Sequence, residues 1–136
     1  MAETLASIQL LRPVRVLIAG DDSDAVEYLR GELARLGFHT MSTTRLDGVP
    51  ELAAVERVNV VVLEFSGGIA SAASVASSIE ALPQRVEVVL AGRRGKAARR
   101  LGYEVVEPGG TAEDLVGAIH RAYRGGRPAA ARSART

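Results

Sequence analysis

The stretch Val58-Asn-Val-Val-Val-Leu-Glu-Phe-Ser-Gly-Gly68 decides how this chain folds. Val60 to Leu63 are four consecutive apolar residues, three of them β-branched, bounded downstream by Ser-Gly-Gly. Such a run predicts a strand covered on both faces, the pattern of a central strand in a parallel sheet. It leads directly into the carboxylate of Glu64. In open α/β sheets functional groups gather beyond the carboxyl ends of the strands. Glu64 is therefore expected at the tip of a central strand, open to the loop that follows.

Working outward, the chain alternates between strand-like and helix-like segments. Upstream, Val14 to Gly20 reads as a first strand and is followed at once by Asp21, Asp22, Ser23 and Asp24. Acids in that place suit a helix N-terminus, where free N–H groups and the macrodipole favour negative charge. The helix is expected from Ser23 to Leu36, with Val26, Leu29, Leu33 and Leu36 on one face and Gly37 as its stop. Phe38 to Thr43 is polar enough for an edge strand. Pro50, a favoured first-turn residue, opens a short helix to about Arg57.

Downstream, Ala70 to Leu82 reads as a helix packed through small residues and ended by Pro83. Val86 to Ala91 and Tyr103 to Val106 are two further strands. Thr111-Ala-Glu-Asp114 resembles a capping box with Asp in the fourth place, and Leu115, Val116, Ile119, Ala122 and Tyr123 trace one face of the helix it opens. Five strands alternating with helices predict a flavodoxin-like (βα)5 doubly wound parallel sheet of order 2-1-3-4-5.

The 136 residues suit one domain, spanning 14–124 between an extension at 1–13 and a Gly, Pro, Ala and Arg-rich tail or linker at 125–136. The absence of cysteine excludes disulfides, thiolate metal sites and a Cys nucleophile. No stretch reads as a membrane span or a signal peptide, so a cytoplasmic location without membrane contact is expected. The net charge of +1 conceals an asymmetry. From Arg93 onward ten Lys or Arg accompany four acids, Glu104, Glu107, Glu113 and Asp114.

With the strands in place, a resemblance becomes specific. Arg15-Val-Leu-Ile-Ala-Gly-Asp-Asp-Ser-Asp24 is similar to the opening of a response-regulator receiver domain, R-V-L-I-V-D-D-D-P-D. Glu56-Arg-Val-Asn-Val-Val-Val-Leu-Glu64 is similar to that family's E-R-P-D-V-V-L-L-D. Leu36-Gly-Phe38 matches the usual end of the first helix, and Glu107-Pro108 falls where the family has Lys-Pro. The resemblance covers roughly 15–124 and implies a phosphorylation switch of two-component signalling.

At the switch positions the chain departs from the family. The phosphoacceptor Asp becomes Glu64, and the two Mg²⁺-binding acids fall on Gly20 and Asp21. The hydroxyl residue of the fourth strand becomes Ala91, and the Lys after the fifth becomes Glu107. Phosphoryl transfer to a carboxylate needs an in-line nucleophile, a divalent cation and positive groups on the equatorial oxygens. Glu64 places its carboxylate one methylene too far out, and Glu107 sets a second negative charge beside it. The expectation is a degenerate, or pseudo-, receiver of a two-component phosphorelay system that itself takes up no phosphoryl group, is not an enzyme and needs no cofactor.

Asp21, Asp22 and Asp24 read first as caps of the helix; weak Mg²⁺ binding by Asp21 and Glu64 stays open beside that. The span from Ala91 to Glu107 is shorter than that of the family it resembles by more than a helical turn, which implies a shortened fourth helix. Its cations, Arg93, Arg94, Lys96, Arg99 and Arg100, are expected at the mouth of the crevice that holds Glu64. Three readings stand: a solvated face, part of a surface that contacts a signalling protein or a second copy of the chain, or a site for a phosphate-containing ligand. With Tyr103 the one aromatic residue nearby, base stacking lacks a platform and nucleic acid is not expected. The resemblance places partner contacts on the fourth helix, fifth strand and last helix. His39 and His120 lack partner motifs, and no Gly-rich phosphate loop follows the first strand.

Overall fold

The computed structural model describes residues 14–65, 69–92, 99–107 and 110–125. All six residues of β3 (Val60–Phe65) are buried, because the strand is paired on both edges and covered on both faces. Its neighbours are β1 (Arg15–Ala19) and β4 (Glu87–Gly92). Outside these lie β2 (His39–Thr43) and the short β5 (Glu104–Val106), giving a parallel sheet of order β2-β1-β3-β4-β5. The expected topology is what is found, with the polar strand at an edge.

Alternation along the strands divides the core in two, since successive side chains point to opposite faces. On one face Val16, Ile18, Val60, Val62, Val89 and Val106 pack against α1 (Ser23–Arg35) and α4 (Ala112–Gly125). On the other, Leu17, Leu63, Phe65 and Leu90 pack against α2 (Val49–Val55) and α3 (Ile69–Glu80). The small residues Ala72 and Ala76 of α3 do face the sheet, with Ile79 beside them.

The helix ends show why the elements begin and stop where they do. Asp22 caps α1, its side chain accepting hydrogen bonds from the N–H groups of Asp24 and Ala25 at 3.1 and 3.2 Å. Gly37, at φ +94°, closes the other end: its N–H donates to Ala34 O and that of Phe38 to Leu33 O, a Schellman motif. Thr111 and Asp114 form the reciprocal box at the start of α4, with Thr111 N donating to Asp114 Oδ2 at 2.9 Å and Asp114 N to Thr111 Oγ1 at 3.1 Å. Arg57 takes the same place after α2 that Gly37 takes after α1, at φ 54° and without glycine's freedom.

Between β4 and β5, residues 93–98 lie outside the described part, and with them Arg93, Arg94 and Lys96. So do Pro108 and the segments 1–13 and 126–136. Arg99 and Arg100 are helical and exposed.

Candidate functional site

The strand register brings the family's switch positions together at one end of the sheet. Ala19 pairs with Leu63, so the next residue, Gly20, leaves β1 beside Glu64. Glu64 pairs with Ala91, and Ala91 with Val106, which precedes Glu107. Gly20, Glu64, Ala91 and Val106 thus form one row across four chain segments.

Glu64 is not at an open tip, as the sequence suggested. It lies within β3, which continues through Phe65, and only 9% of its surface is exposed. The reason is the closeness of Gly20. A Cβ at position 20 would stand 2.7 Å from Glu64 Oε2, 2.8 Å from its Cβ and 2.9 Å from its backbone oxygen. All three are closer than non-bonded carbon normally tolerates. The Glu64 side chain therefore takes the space in which a residue-20 side chain would begin. Gly92 is closed in the same way: a Cβ there would stand 2.7 Å from the Phe65 ring and from Phe65 O.

Mg²⁺ requires near-octahedral oxygen coordination, and the residues here do not fit it. Gly20 supplies no side-chain oxygen and has no room for a side chain. The Glu64 carboxylate is folded in against it. Asp21 is exposed and shares with Glu64 the wall of a 30 Å³ niche, two carboxylates without a third. Among the described residues no group of three His, Cys, Asp or Glu side chains could hold a metal ion. Asp22 caps α1, and Asp24 lies in that helix's first turn. Ala91 brings no hydroxyl to the row.

Glu107 corrects the charge argument. It does not stand as an unmatched charge facing Glu64: half exposed, it pairs with Arg99 at 3.4 Å. Behind it, between α1 and the N-terminal turn of α4, lies a cavity of about 180 Å³ with Glu64, Ala91 and Val106 in its floor. Apart from Thr111 and the Tyr28 hydroxyl, the described side chains of its walls are apolar or acidic, from Ala25, Leu29, Glu32, Glu107 and Leu115 among others, and include no Lys or Arg. The expected basic mouth is thus not seen in the described walls. Arg99 belongs instead to an adjoining groove along β5 and α4, about 460 Å³, with Arg121, Glu113 and Asp114.

The α1 contribution was missed in the sequence, although Ala25, Tyr28, Leu29 and Glu32 fall at i, i+3, i+4 and i+7 and so share a face. Arg100 is exposed, His39 is exposed on the edge strand and His120 lies on α4; none lines the cavity.

No family model matches the chain, and no curated protein does. Solved structures do. A response regulator receiver domain protein from Clostridium thermocellum superposes with a TM-score of 0.68 over 82% of this chain and 94% of that one, at 17% identity. An orphan response regulator of H. pylori gives 0.64 over 83% and 98%, at 18% identity. A CheY-like protein from Pseudomonas aeruginosa gives 0.63 over 79% and 98%, at 19% identity. At such identities the likeness is one of fold: the chain has the receiver fold.

Proposed function

We propose that this chain is an atypical receiver-like domain, acting in signal transduction through phosphorylation-independent contact with a signalling protein. The observation that carries the reading is the closure of Gly20 by Glu64. A receiver switch needs a carboxylate exposed to a phosphodonor and a second acid beside it for the metal. Here the first is nine-tenths buried and the second has neither side chain nor room for one. The fold supports the signalling role and the site argues against the phosphoryl chemistry.

The face formed by Arg99, β5 and α4 suits a protein partner. It carries two exposed ion pairs, Arg99–Glu107 and Arg121–Glu104 at 3.1 Å, around a groove at the sheet edge. Charges so placed steer an encounter and fix its register. The buried members of α4, Ile119 and Ala122, support the sheet and leave recognition to the polar side. A second copy of the chain is a partner of the same kind. A phosphate-containing ligand in the crevice would require cations from residues 93–98, and the described walls do not favour it.

The test compares two substitutions against a partner isolated by its affinity for the unaltered domain. Glu64→Gln, which removes the carboxylate, should leave partner affinity unchanged. The double change Arg99→Glu, Arg121→Glu should weaken it in a salt-dependent manner, mainly through the on-rate. Loss of binding in Glu64→Gln with no effect of the double change would reverse the assignment.

A further inference from the structure

The cavity between α1 and α4 has a use that protein contact at the β5–α4 face does not absorb. Its volume, about 180 Å³, is close to that of an engineered apolar cavity of roughly 150 Å³ that admits benzene. Ala25 and Leu29 of α1, Ala91 and Val106 of two strands, and Ala112 and Leu115 of α4 line much of it. Ala91, Val106 and Leu115 are buried core residues and Leu29 packs against the same core, so the lining continues the hydrophobic core outward. Tyr28 also lines the cavity and is 63% exposed, which sets an aromatic ring at the mouth. The three acids of the wall are all engaged: Glu32 pairs with Arg35, Glu107 pairs with Arg99, and Glu64 has a partner of its own within the protein.

We infer that this cavity is a binding site for a small neutral molecule with one aromatic ring, held by apolar burial between α1 and α4. The chemistry of the walls selects that class. A cation would give up its water to meet carboxylates that are already matched, and an anion would meet three carboxylates with no Lys or Arg in the described walls. A neutral ring has no charge to desolvate and gains by leaving water beside the leucines. It also fills the chamber without rotatable bonds to freeze, which an alkyl chain of like volume would bring. Tyr28 adds an aromatic partner in offset or edge-to-face contact. Occupancy would bridge α1 and α4, and α4 also bears the partner groove, so a ligand here and a partner there share one helix. The inference does not depend on the protein-contact reading, and it stands or falls by direct binding.

The probe is benzyl alcohol, titrated calorimetrically into the full chain and followed in parallel by thermal denaturation. Benzylamine, cationic at pH 7, and benzoate serve as charged counterparts of similar size. Saturable one-to-one binding of benzyl alcohol is expected, with a rise in melting temperature. Benzylamine should bind no more tightly, and benzoate at least about tenfold more weakly. Tyr28→Ala should weaken benzyl alcohol about 2- to 10-fold, the range of an aromatic pair. Ala25→Leu and Ala112→Leu fill the chamber from opposite walls without touching a charge, and each should lower affinity at least about tenfold. With two such variants, one that fails to fold leaves the other to decide, and the thermal melts show which are folded. Absence of saturable binding to the unaltered chain would overturn the proposal. So would tighter binding of benzylamine than of benzyl alcohol, or undiminished binding in a folded Ala25→Leu or Ala112→Leu variant.

Discussion

Of the three contacts that a side chain at position 20 would make, only one is to an atom that Glu64→Asp would move. The other two are to Glu64 Cβ and its backbone oxygen, at 2.8 and 2.9 Å. Gly20→Ala should therefore destabilise the domain by about 1–3 kcal/mol, the range of an overpacked core, and Gly20→Asp by at least as much. Combining Gly20→Ala with Glu64→Asp should recover little of that loss. Urea unfolding decides the sign, because a site with free room would instead gain about 0.4–1 kcal/mol from replacing glycine. Glu107 belongs to the same scale. Its pair with Arg99 is exposed on both sides, so Glu107→Lys should cost only about 0.2–1 kcal/mol at low salt and less at high salt. A rise in stability would restore the like-charge repulsion that the sequence suggested. That Gly20 lacks a metal ligand was legible in the chain; that its place is taken by Glu64 was not, since the approach of β1 to β3 depends on main-chain geometry.

Among the elements, those whose ends carry their own chemical marks were read well. Leu36-Gly-Phe38 announces a Schellman stop, and Thr111 with Asp114 announces a capping box; both are found atom for atom. The acids after β1 were likewise placed as a cap, although only Asp22 does the capping. The end of α2 carries no such mark, because Arg57 occupies the left-handed position. A non-glycine residue there costs roughly 1 kcal/mol. Arg57→Gly should accordingly raise stability by about 0.5–1 kcal/mol while Arg57→Ala leaves it nearly unchanged, measured as a shift in urea midpoint at constant slope. A loss in Arg57→Gly would mean that the arginine side chain holds the turn. The position of Glu64 was misjudged by one residue for a related reason. Phe65 extends the strand by packing against Gly92, a tertiary contact that no local signal announces.

For the whole molecule, the two-faced apolar pattern of the strands was enough to give the topology, and the order of motifs was enough to give the receiver likeness that solved structures bear out. The crevice was less legible, because its walls come from α1, the strand ends and the start of α4, segments far apart in sequence. Summing charge along residues 93–100 suggested a basic mouth; of its cations, Arg93, Arg94 and Lys96 lie outside the described residues, and Arg99 pairs with Glu107 and lines an adjoining groove. The central claim, that a receiver fold here works without phosphorylation, meets its most direct test in one measurement. The protein is incubated with a small-molecule phosphodonor and Mg²⁺, and intact mass is recorded for the unaltered chain and for Glu64→Asp. Neither should gain mass, since restoring the nucleophile leaves Gly20, Ala91 and Glu107 as they are. A stoichiometric gain of one phosphoryl group on the unaltered chain would contradict the account.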